Sequence, residues 1–140
     1  MKTRSKADNL LVTPSFFSIQ TVILKAPCPY YKKLYELAKA YNTTISHIIR
    51  NGIFYVTGIY EVPRMRAKGS RKYDITSNPD ECKKLRAVTT KLSTYTIYVL
   101  DKISMNSGRT RTELILLSID RVYELHKEGK LVILPEYYGV

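Results

Sequence analysis

Residues 87–125, AVTTKLSTYTIYVLDKISMNSGRTRTELILLSIDRVYEL, carry the signals of one short strand followed by two helices. The segment 87–92 is rich in β-branched side chains and bounded at both ends, as strands are. Ser93 is a favoured helix N-cap, and Gly108 ends that helix because glycine readily takes the left-handed conformation. The sequence Thr-Arg-Thr-Glu at 110–113 is a capping box, which begins another helix. We therefore predict a strand, a helix, a turn and a second helix.

The same layout occurs earlier in the chain. A shift of 66 residues aligns 21–60 with 87–126 without a gap, although few residues are identical. In the first copy Pro27 stands where a helix should begin, Asn42 where it should end, and Thr44 where the next one is capped. The second helix of each copy is apolar over most of its circumference, which predicts burial on several sides. Its apolar residues are Ile48, Ile49, Ile53, Val56 and Ile59 in the first copy and Leu114, Ile115, Leu117, Ile119, Val122 and Leu125 in the second.

Each copy is too short to fold alone, because about 40 residues cannot bury a strand and the apolar sides of two helices. Each copy therefore needs a partner. We prefer pairing of the two copies within one chain, since a connecting segment of about 25 residues could span up to roughly 80 Å. The alternative is that like copies of two chains pair with each other.

The composition is that of a small, basic globular protein. The chain has 140 residues, with 23 lysines and arginines against 12 aspartates and glutamates, and its formal net charge is +11. This length allows one small domain or two very small ones. No apolar run approaches the roughly 18 residues of a membrane-spanning helix, and the N-terminus lacks a secretory signal, so we expect an intracellular protein. A basic excess of this size is commonly the footprint of a polyanion.

Charge and hydropathy divide the chain into five parts. They are an N-terminal arm (1–20), a first strand-helix-helix unit (21–61), a basic linker (62–84), a second unit (85–127) and a C-terminal tail (128–140). The linker is either a plain solvated segment or a phosphate-contacting one. Its candidate phosphate contacts are Arg64, Arg66, Lys68, Arg71 and Lys72. The apolar run 131–134 in the tail could be an edge strand, a lid on the core or a contact between molecules, and we favour the lid.

Residues that could support catalysis or metal binding are scarce. The motifs of phosphate loops, zinc proteases and nucleophile elbows do not occur. Cys28 and Cys82 stand 54 residues apart with no CxxC motif, so no zinc finger can be formed, and we expect two small buried or half-buried residues. We expect His47 and His126 to be ordinary surface or interface residues. The sequence therefore predicts no enzymatic activity, no cofactor and no metal.

This layout resembles the ribbon-helix-helix family of DNA-binding regulators. The stretch 87–125 is similar to that family over its full length, and TVILKAPCPYYKKLYELAKAYNTTISHIIRNG at 21–52 resembles it more loosely. Two such units in one tyrosine-rich and lysine-rich chain look like the tandem ribbon-helix-helix regulators of archaeal viruses, for which the location would be the host cytoplasm. The resemblance implies an α+β, mostly α fold, in which two strands pair into an antiparallel ribbon over a four-helix core.

The resemblance also implies where DNA would bind. In that family the ribbon enters the major groove, and its alternate outward side chains meet base edges. The corresponding outward residues are Thr21, Ile23, Lys25, Ala87, Thr89 and Lys91, and the inward ones are Val22, Leu24, Val88 and Thr90. The N-terminus of each second helix would bind a DNA phosphate. The candidate phosphate contacts are Thr43 and Thr44 in the first copy and Arg109, Thr110 and Arg111 in the second.

The predicted function is that of a sequence-specific, double-stranded DNA-binding transcriptional regulator, which could assemble further as homodimers or larger complexes on DNA. Two alternatives remain open. One is a nucleoprotein that coats DNA without sequence preference, and the other is an antitoxin-like or adaptor protein that uses the same fold for a protein partner. The outward strand residues could also be an ordinary solvent face, with Ile23 buried against the apolar part of the arm.

Overall fold

The computed structural model describes residues 18–59 and 82–134. In chain order the elements are strand β1 (Ile19–Pro27), helices α1 (Cys28–Ala40) and α2 (Ile45–Thr57), strand β2 (Leu85–Ser93), and helices α3 (Thr94–Ser107) and α4 (Arg111–Lys127). Within these residues the fold is α+β and 60% helical, with four helices and one two-stranded antiparallel sheet. No helix within the described residues is both long and apolar enough to cross a membrane.

Strands β1 and β2 pair along their whole length, and we call this two-stranded sheet the ribbon. Each strand has nine residues and continues up to the start of the following helix, so both are longer than predicted. Side chains alternate between the two faces, as strand geometry requires. The predicted inward residues Val22, Leu24, Val88 and Thr90 are all buried, which confirms the predicted division into two faces.

The helix boundaries follow the predicted capping residues. Asn42, just after α1, has a φ of 53°, and Gly108, at the end of α3, has a φ of 75°. The side chains of Thr44 and Thr110 each accept a hydrogen bond from the N–H group three residues further on. The capping box is complete, because the N–H group of Thr110 donates to Glu113 Oε1 at 2.8 Å.

Two expectations about the second helices are wrong. Helix α2 ends at Thr57 because Gly58 takes a left-handed conformation with a φ of 77°, and Ile59 therefore lies outside the helix. Leu117 on α4 is 43% exposed, because it lies on the side of the helix that faces away from the core. The other apolar residues of these helices are buried or half-buried as predicted.

Residues that are 66 positions apart in the sequence meet at two places in the structure. Ile23 pairs with Thr89 at the middle of the ribbon. Where α2 crosses α4, a Cβ atom on Gly52 would lie 2.7 Å from Ser118 Oγ. Equivalent residues of two similar halves can meet only near a symmetry axis. An approximate two-fold axis therefore passes through the centre of the ribbon and this helix crossing, and it relates β1, α1 and α2 to β2, α3 and α4.

One hydrophobic core holds the two halves together. It lies between the inward face of the ribbon and the inner sides of the helices, and α2 and α4 pack against each other at its centre. The largest side chains with essentially no exposure are Leu24, Leu34, Leu37, Ile48, Ile49, Ile53, Leu92, Leu100, Ile115, Ile119, His47 and Val122. Both halves contribute to this set, so neither half buries its apolar surface alone.

Polar side chains also join α1 to α4 across the two halves. Lys33 Nζ lies 2.7 Å from Asp120, which also accepts a hydrogen bond from Tyr30 at 2.9 Å. Glu36 accepts a hydrogen bond from Tyr123 at 2.9 Å. The hydrogen bonds to Asp120 raise the pKa of Lys33 and of Tyr30, and the bond from Tyr123 lowers the pKa of Glu36. These contacts favour one placement of α1 on α4.

The tail segment 131–134 lies on the core in the manner of the predicted lid. Leu131 is buried, and the backbone of Leu134 is bound on both sides by side chains of α2. Its N–H group donates to Asn51 Oδ1 at 2.9 Å, and its carbonyl oxygen accepts from His47 Nε2 at 2.7 Å. The tail therefore satisfies polar side chains of α2 as well as covering apolar ones.

The two histidines differ from each other. His47 is only 2% exposed, so the expectation of an ordinary surface or interface histidine is wrong for it, because the tail covers its side of α2. His126 is half-buried where α1 and α4 meet, and its Nδ1 lies 3.0 Å from the hydroxyl of Tyr41. His126 is thus an interface residue, as predicted.

The two cysteines form a disulfide between Cys28 and Cys82, with their Cα atoms 5.8 Å apart. Both residues are half-buried, as predicted, but the disulfide between them was not predicted. A spacing of 54 residues carries no information on pairing, because a disulfide depends on how the chain brings distant residues together. Here the antiparallel ribbon brings them close, since Cys28 follows the end of β1 and Cys82 precedes the start of β2.

Candidate nucleic-acid interface

The outward face of the ribbon is exposed over the six residues predicted to contact bases. Thr21, Ile23 and Lys25 on β1 lie opposite Lys91, Thr89 and Ala87 on β2. Ile23, at the centre, is 63% exposed, which is high for a large apolar side chain in a folded domain. The structure thus brings all six residues into one continuous surface. The arm residues 1–17, against which Ile23 could have packed, lie outside the described residues.

The outward face of the ribbon carries positive charge. The two strands contain Lys25, Arg86 and Lys91 and no acidic residue. Arg86 packs toward α1, where its guanidinium group lies 5.3 Å from the centre of the Tyr31 ring. Lys25 and Lys91 are equivalent in the two halves and lie on opposite strands, on either side of the central pair. The face therefore presents two ammonium groups, related by the two-fold axis.

The remaining groups on this face combine hydrogen-bonding and apolar character. Thr21 and Thr89 each have a hydroxyl that can donate or accept, whereas Ile23 and Ala87 offer only apolar contacts. The axis relates Thr21 to Ala87 and Ile23 to Thr89, so equivalent positions differ in chemistry. The backbone of the ribbon is nearly symmetric, but its exposed surface is not.

The N-terminus of α4 lies beside β1, across a cleft with a volume of about 380 Å³. The cleft is lined by Val22, Ile23, Leu24, Asp101, Ser104, Thr110, Arg111, Thr112 and Ile115. It brings the candidate base contact Ile23 together with the candidate phosphate contacts Thr110 and Arg111. The first N–H groups of a helix and the positive end of its dipole favour an anion at such a position.

Two carboxylates reduce the positive charge at this end of α4. The guanidinium group of Arg111 donates to both oxygens of Asp101, at 3.1 and 3.3 Å. The carboxylate of Glu113 accepts the N–H group of Thr110 in the capping box. Arg109 is exposed and forms no ion pair with another described residue. Of the two predicted arginines, Arg109 is therefore the one whose charge is fully available to a phosphate.

The N-terminus of α2 offers less to an anion. Thr43 is only 9% exposed, and its N–H group donates to the carbonyl of Ala38 at 2.9 Å. Thr44 uses its hydroxyl to cap α2, accepting the N–H group of His47 at 3.0 Å. Thr43 is therefore poorly placed for a phosphate contact, and the candidate contact in this half is the start of α2 at Thr44.

A cluster of polar side chains lies beneath β2, at the position equivalent to that of the cleft beneath β1. Ser46 Oγ donates to Thr90 Oγ1 at 2.9 Å, and Arg50 donates to Ser46 Oγ at 2.7 Å. Arg50 is only 3% exposed. In the other half the residues equivalent to Ser46 and Arg50 are Thr112 and Leu116. One side of the ribbon is thus supported by a buried cation and the other borders an open cleft.

Sequence reasoning missed Asp101 and Arg50 because both act through residues on other elements. Asp101 belongs to α3 and binds the first residue of α4, whereas Arg50 reaches from α2 toward β2. An arginine in an otherwise apolar helix, between Ile49 and Ile53, was the available signal for Arg50. The linker candidates Arg64, Arg66, Lys68, Arg71 and Lys72 lie outside the described residues.

Among the histidine, cysteine, aspartate and glutamate residues of the described structure, no group of three is placed to hold a metal ion. Comparisons with protein-family models, with curated proteins and with solved structures gave no significant match.

Proposed function

We propose that this protein is a sequence-specific, double-stranded DNA-binding transcriptional regulator built from two ribbon-helix-helix units in one chain, acting inside the cell as a binding protein and not as an enzyme. One observation carries the proposal: the exposed face of the ribbon presents Thr21, Ile23 and Lys25 opposite Lys91, Thr89 and Ala87, without an acidic side chain. The ribbon would enter the major groove with this face toward the base edges.

The chemistry of this face fits base edges in the major groove. The groove is about 12 Å wide and admits a two-stranded β-ribbon. Lys25 and Lys91 would donate to the O6 and N7 atoms of guanine, and the threonine hydroxyls could donate to or accept from several bases. Ile23 would contact the methyl group of a thymine. The inward face cannot take this role, because Val22, Leu24 and Val88 are buried in the core.

The helix N-termini beside the ribbon would position the protein on the DNA backbone. Helix α4 starts at the cleft next to β1, and α2 starts next to β2, where Ser46 contacts Thr90. Their N–H groups would face phosphates on the two sides of the groove. Arg109 would add a cation on one side only. These contacts fix the register of the ribbon without reading sequence.

The two lysines suggest the form of the DNA site. Lys25 and Lys91 are separated by four residue steps along the ribbon, or roughly 13 Å at the rise of a β-strand. That distance corresponds to roughly four base pairs of B-DNA. We expect two G·C pairs at about this spacing, related by an imperfect two-fold symmetry. The symmetry would be imperfect because Ile23 and Thr89 differ.

Selection from a pool of random duplexes tests the proposal directly. The full-length protein is incubated with the pool at physiological salt, and the retained duplexes are sequenced. Enrichment of a short motif with two G·C pairs at the expected spacing would support the regulator. Retention without enrichment would indicate the DNA-coating alternative, for which salt dependence is steep and specific duplexes bind little better than random ones. No retention would instead favour the protein-partner alternative.

The oligomeric state of the regulator follows from the pairing of its strands. Because β1 and β2 of one chain complete the ribbon, a single chain would carry one complete DNA-reading surface. Light scattering of the full-length protein without DNA should give the mass of a monomer. If the protein is a monomer, further copies would associate only on DNA. A stable dimer whose ribbons form between chains would contradict this arrangement.

A further inference from the structure

The Cys28–Cys82 disulfide closes one end of the ribbon. Cys28 directly follows the last residue of β1, and its N–H group donates to the carbonyl of Lys84 at 3.1 Å, which extends the strand pairing by one bond. The disulfide lies just beyond this bond. The opposite end of the ribbon is held differently, by a hydrogen bond from the N–H group of Thr94 to the carbonyl of Ser18 at 2.9 Å. Only one end of the ribbon therefore depends on a bond that reductants can break.

The surroundings of this disulfide favour thiol exchange. Both cysteine residues are half-buried, and neither belongs to the buried core. Cys28 is the first residue of α1, and a helix N-terminus stabilises a thiolate. Lys83 and Lys84, exposed and next to Cys82, attract an anionic thiolate from solution. The position of Cys28 at the helix N-terminus makes it the leaving group, since the positive end of the helix dipole stabilises the charge that develops on its sulfur.

We propose that the Cys28–Cys82 disulfide is a thiol-exchange site through which dithiols or glutathione-type thiols weaken the binding of DNA by the ribbon. This inference rests on the proposed DNA-binding function. An attacking thiolate forms a bond to the sulfur of Cys82, the bond between the two cysteines breaks, and its electron pair leaves on Cys28 as a thiolate. A second thiolate then attacks the mixed disulfide, which leaves Cys82 reduced and the two external sulfurs joined. Two electrons pass from the external thiols to the protein.

Reduction acts on DNA binding through the position of Lys25. Lys25 is three residues from Cys28 and pairs with Ala87, which follows the start of β2 by two residues. Without the disulfide, this end of the ribbon is held by noncovalent contacts alone, among them the backbone bond between Cys28 and Lys84 and the packing of Arg86 on Tyr31, and it can separate from its terminus inward. Lys25 then loses its fixed place on the outward face. Lys91 keeps its place, because it lies toward the end held by Thr94.

The test compares oxidised and reduced full-length protein on one duplex enriched from the random pool. Fluorescence anisotropy gives the dissociation constant before and after reduction with a phosphine, and circular dichroism records the helical content. We expect binding to be about tenfold weaker after reduction, because one lysine–guanine contact is lost. The helical signal should be retained. Equal affinity of both forms overturns the proposal and leaves the DNA-binding function intact. Failure of the oxidised form to bind any duplex contradicts both.

Two control proteins distinguish local opening of the ribbon from general unfolding. Protein in which a dichloroacetone bridge joins the two thiols cannot be reduced and should keep the affinity of the oxidised form in the presence of phosphine. The variant Cys28→Ser/Cys82→Ser should bind as the reduced protein does, with or without phosphine. Loss of the helical signal on reduction, or a loss of affinity in the bridged protein, would overturn the proposal.

A separate measurement shows which of the two cysteines the external thiol attacks. Oxidised protein is treated briefly with glutathione, acidified and digested, and the adduct is located by mass spectrometry. We expect the glutathione on Cys82, because Cys28 leaves as the stabilised thiolate. An adduct mainly on Cys28 would contradict the assignment of the leaving group and with it the proposed path of reduction.

Discussion

Thr89 and Lys91 stand on the exposed face of the ribbon, opposite Ile23 and Thr21. Neither side chain takes part in the core, so their chemistry is available to a partner at little cost in stability. We expect the variant Thr89→Ala/Lys91→Ala to bind an enriched duplex at least tenfold more weakly, since one good base contact contributes about 1–3 kcal/mol of discrimination. Anisotropy titrations against the enriched and a scrambled duplex measure this loss.

The matched control for this variant is Lys102→Ala. Lys102 is an exposed lysine on α3, outside the two strands, whose ammonium group lies 5.5 Å from the centre of the Tyr98 ring. It removes the same charge from the protein and should change the affinity for both duplexes only slightly. If the ribbon variant keeps the wild-type preference between the two duplexes, the ribbon does not read the bases.

Arg109 and Arg111 are neighbours with different environments. Arg109 is exposed, whereas Arg111 is held by Asp101. Replacing Arg109 with alanine should weaken binding to all duplexes alike and lower the slope of log K against log salt by about one. Asp101→Asn should have the opposite effect and strengthen binding to all duplexes, because it releases the charge of Arg111. Binding titrations at several salt concentrations measure both slopes, and an unchanged slope in Arg109→Ala would remove Arg109 from the phosphate contacts.

At the scale of the elements, the crossing of α2 and α4 depends on Gly52. A Cβ atom there would lie 2.7 Å from Ser118 Oγ, a side chain that is fixed by donating to the carbonyl of Ile115 at 2.6 Å. We expect Gly52→Ala to lower the free energy of unfolding by about 1–3 kcal/mol, because overpacking at a helix crossing forces the helices apart. Urea denaturation measures the change.

The double variant Gly52→Ala/Ser118→Gly is the control for this close contact. It removes the clashing side chain, so it should recover part of the stability that Gly52→Ala alone loses. A strictly additive loss in the double variant would show that the contact between residues 52 and 118 does not cause the loss.

The contact between α1 and α4 should make stability depend on pH through Glu36. Its carboxylate accepts a hydrogen bond from Tyr123 and lies 3.2 Å from Lys127, and its pKa is lowered from the usual 4.5. Because the folded protein favours the charged form, this contribution is full above about pH 4.5 and is lost as the pH falls through the lower pKa of the folded state. The effect is below about 1 kcal/mol, since the carboxylate is partly exposed.

Thermal unfolding of wild type and Glu36→Gln between pH 7 and pH 3 measures this dependence. The variant should be less stable at pH 7, and the difference should shrink as the wild-type carboxylate becomes protonated. A difference that stays constant over the whole range would mean that Glu36 stabilises the helix pair by packing and not by its charge.

For the whole molecule, we expect the tail segment 131–134 to contribute stability and not DNA contacts. Residues 131–134 cover α2, where Leu131 is buried and the backbone of Leu134 binds Asn51 and His47. Removing residues 131–140 exposes this part of the core and leaves two buried polar side chains without these partners. We expect a loss of about 2–4 kcal/mol in the free energy of unfolding, from lost burial and lost hydrogen bonds together.

At a temperature where the truncated protein stays folded, its affinity for an enriched duplex should remain within about twofold of wild type, because the ribbon is unchanged. Asn51→Ala in the intact chain is a milder version of the same change and should lower stability less. If truncation abolishes function in the cell while Thr89→Ala/Lys91→Ala does not, the tail binds a protein partner and the adaptor alternative applies.

The local structure could be predicted from the amino-acid sequence alone. The two strands, the helix caps at Thr44 and Thr110 and the turns at Asn42 and Gly108 were predictable, because each depends on residues within a few positions of one another. The resemblance to ribbon-helix-helix proteins predicted which strand positions face outward, and the alternation of side chains along any strand assigned the others to the inward face. Exposure of the six outward residues followed from the same alternation.

Contacts between residues that are distant in the chain could be seen only in the tertiary structure. It joined Cys28 to Cys82, placed the tail over His47 and set Asp101 against Arg111. It also made the two sides of the ribbon unequal, with a buried Arg50 on one side and a cleft on the other. Such pairs leave no periodic signal in the sequence, because the packing of separate elements creates them and no local rule links their positions.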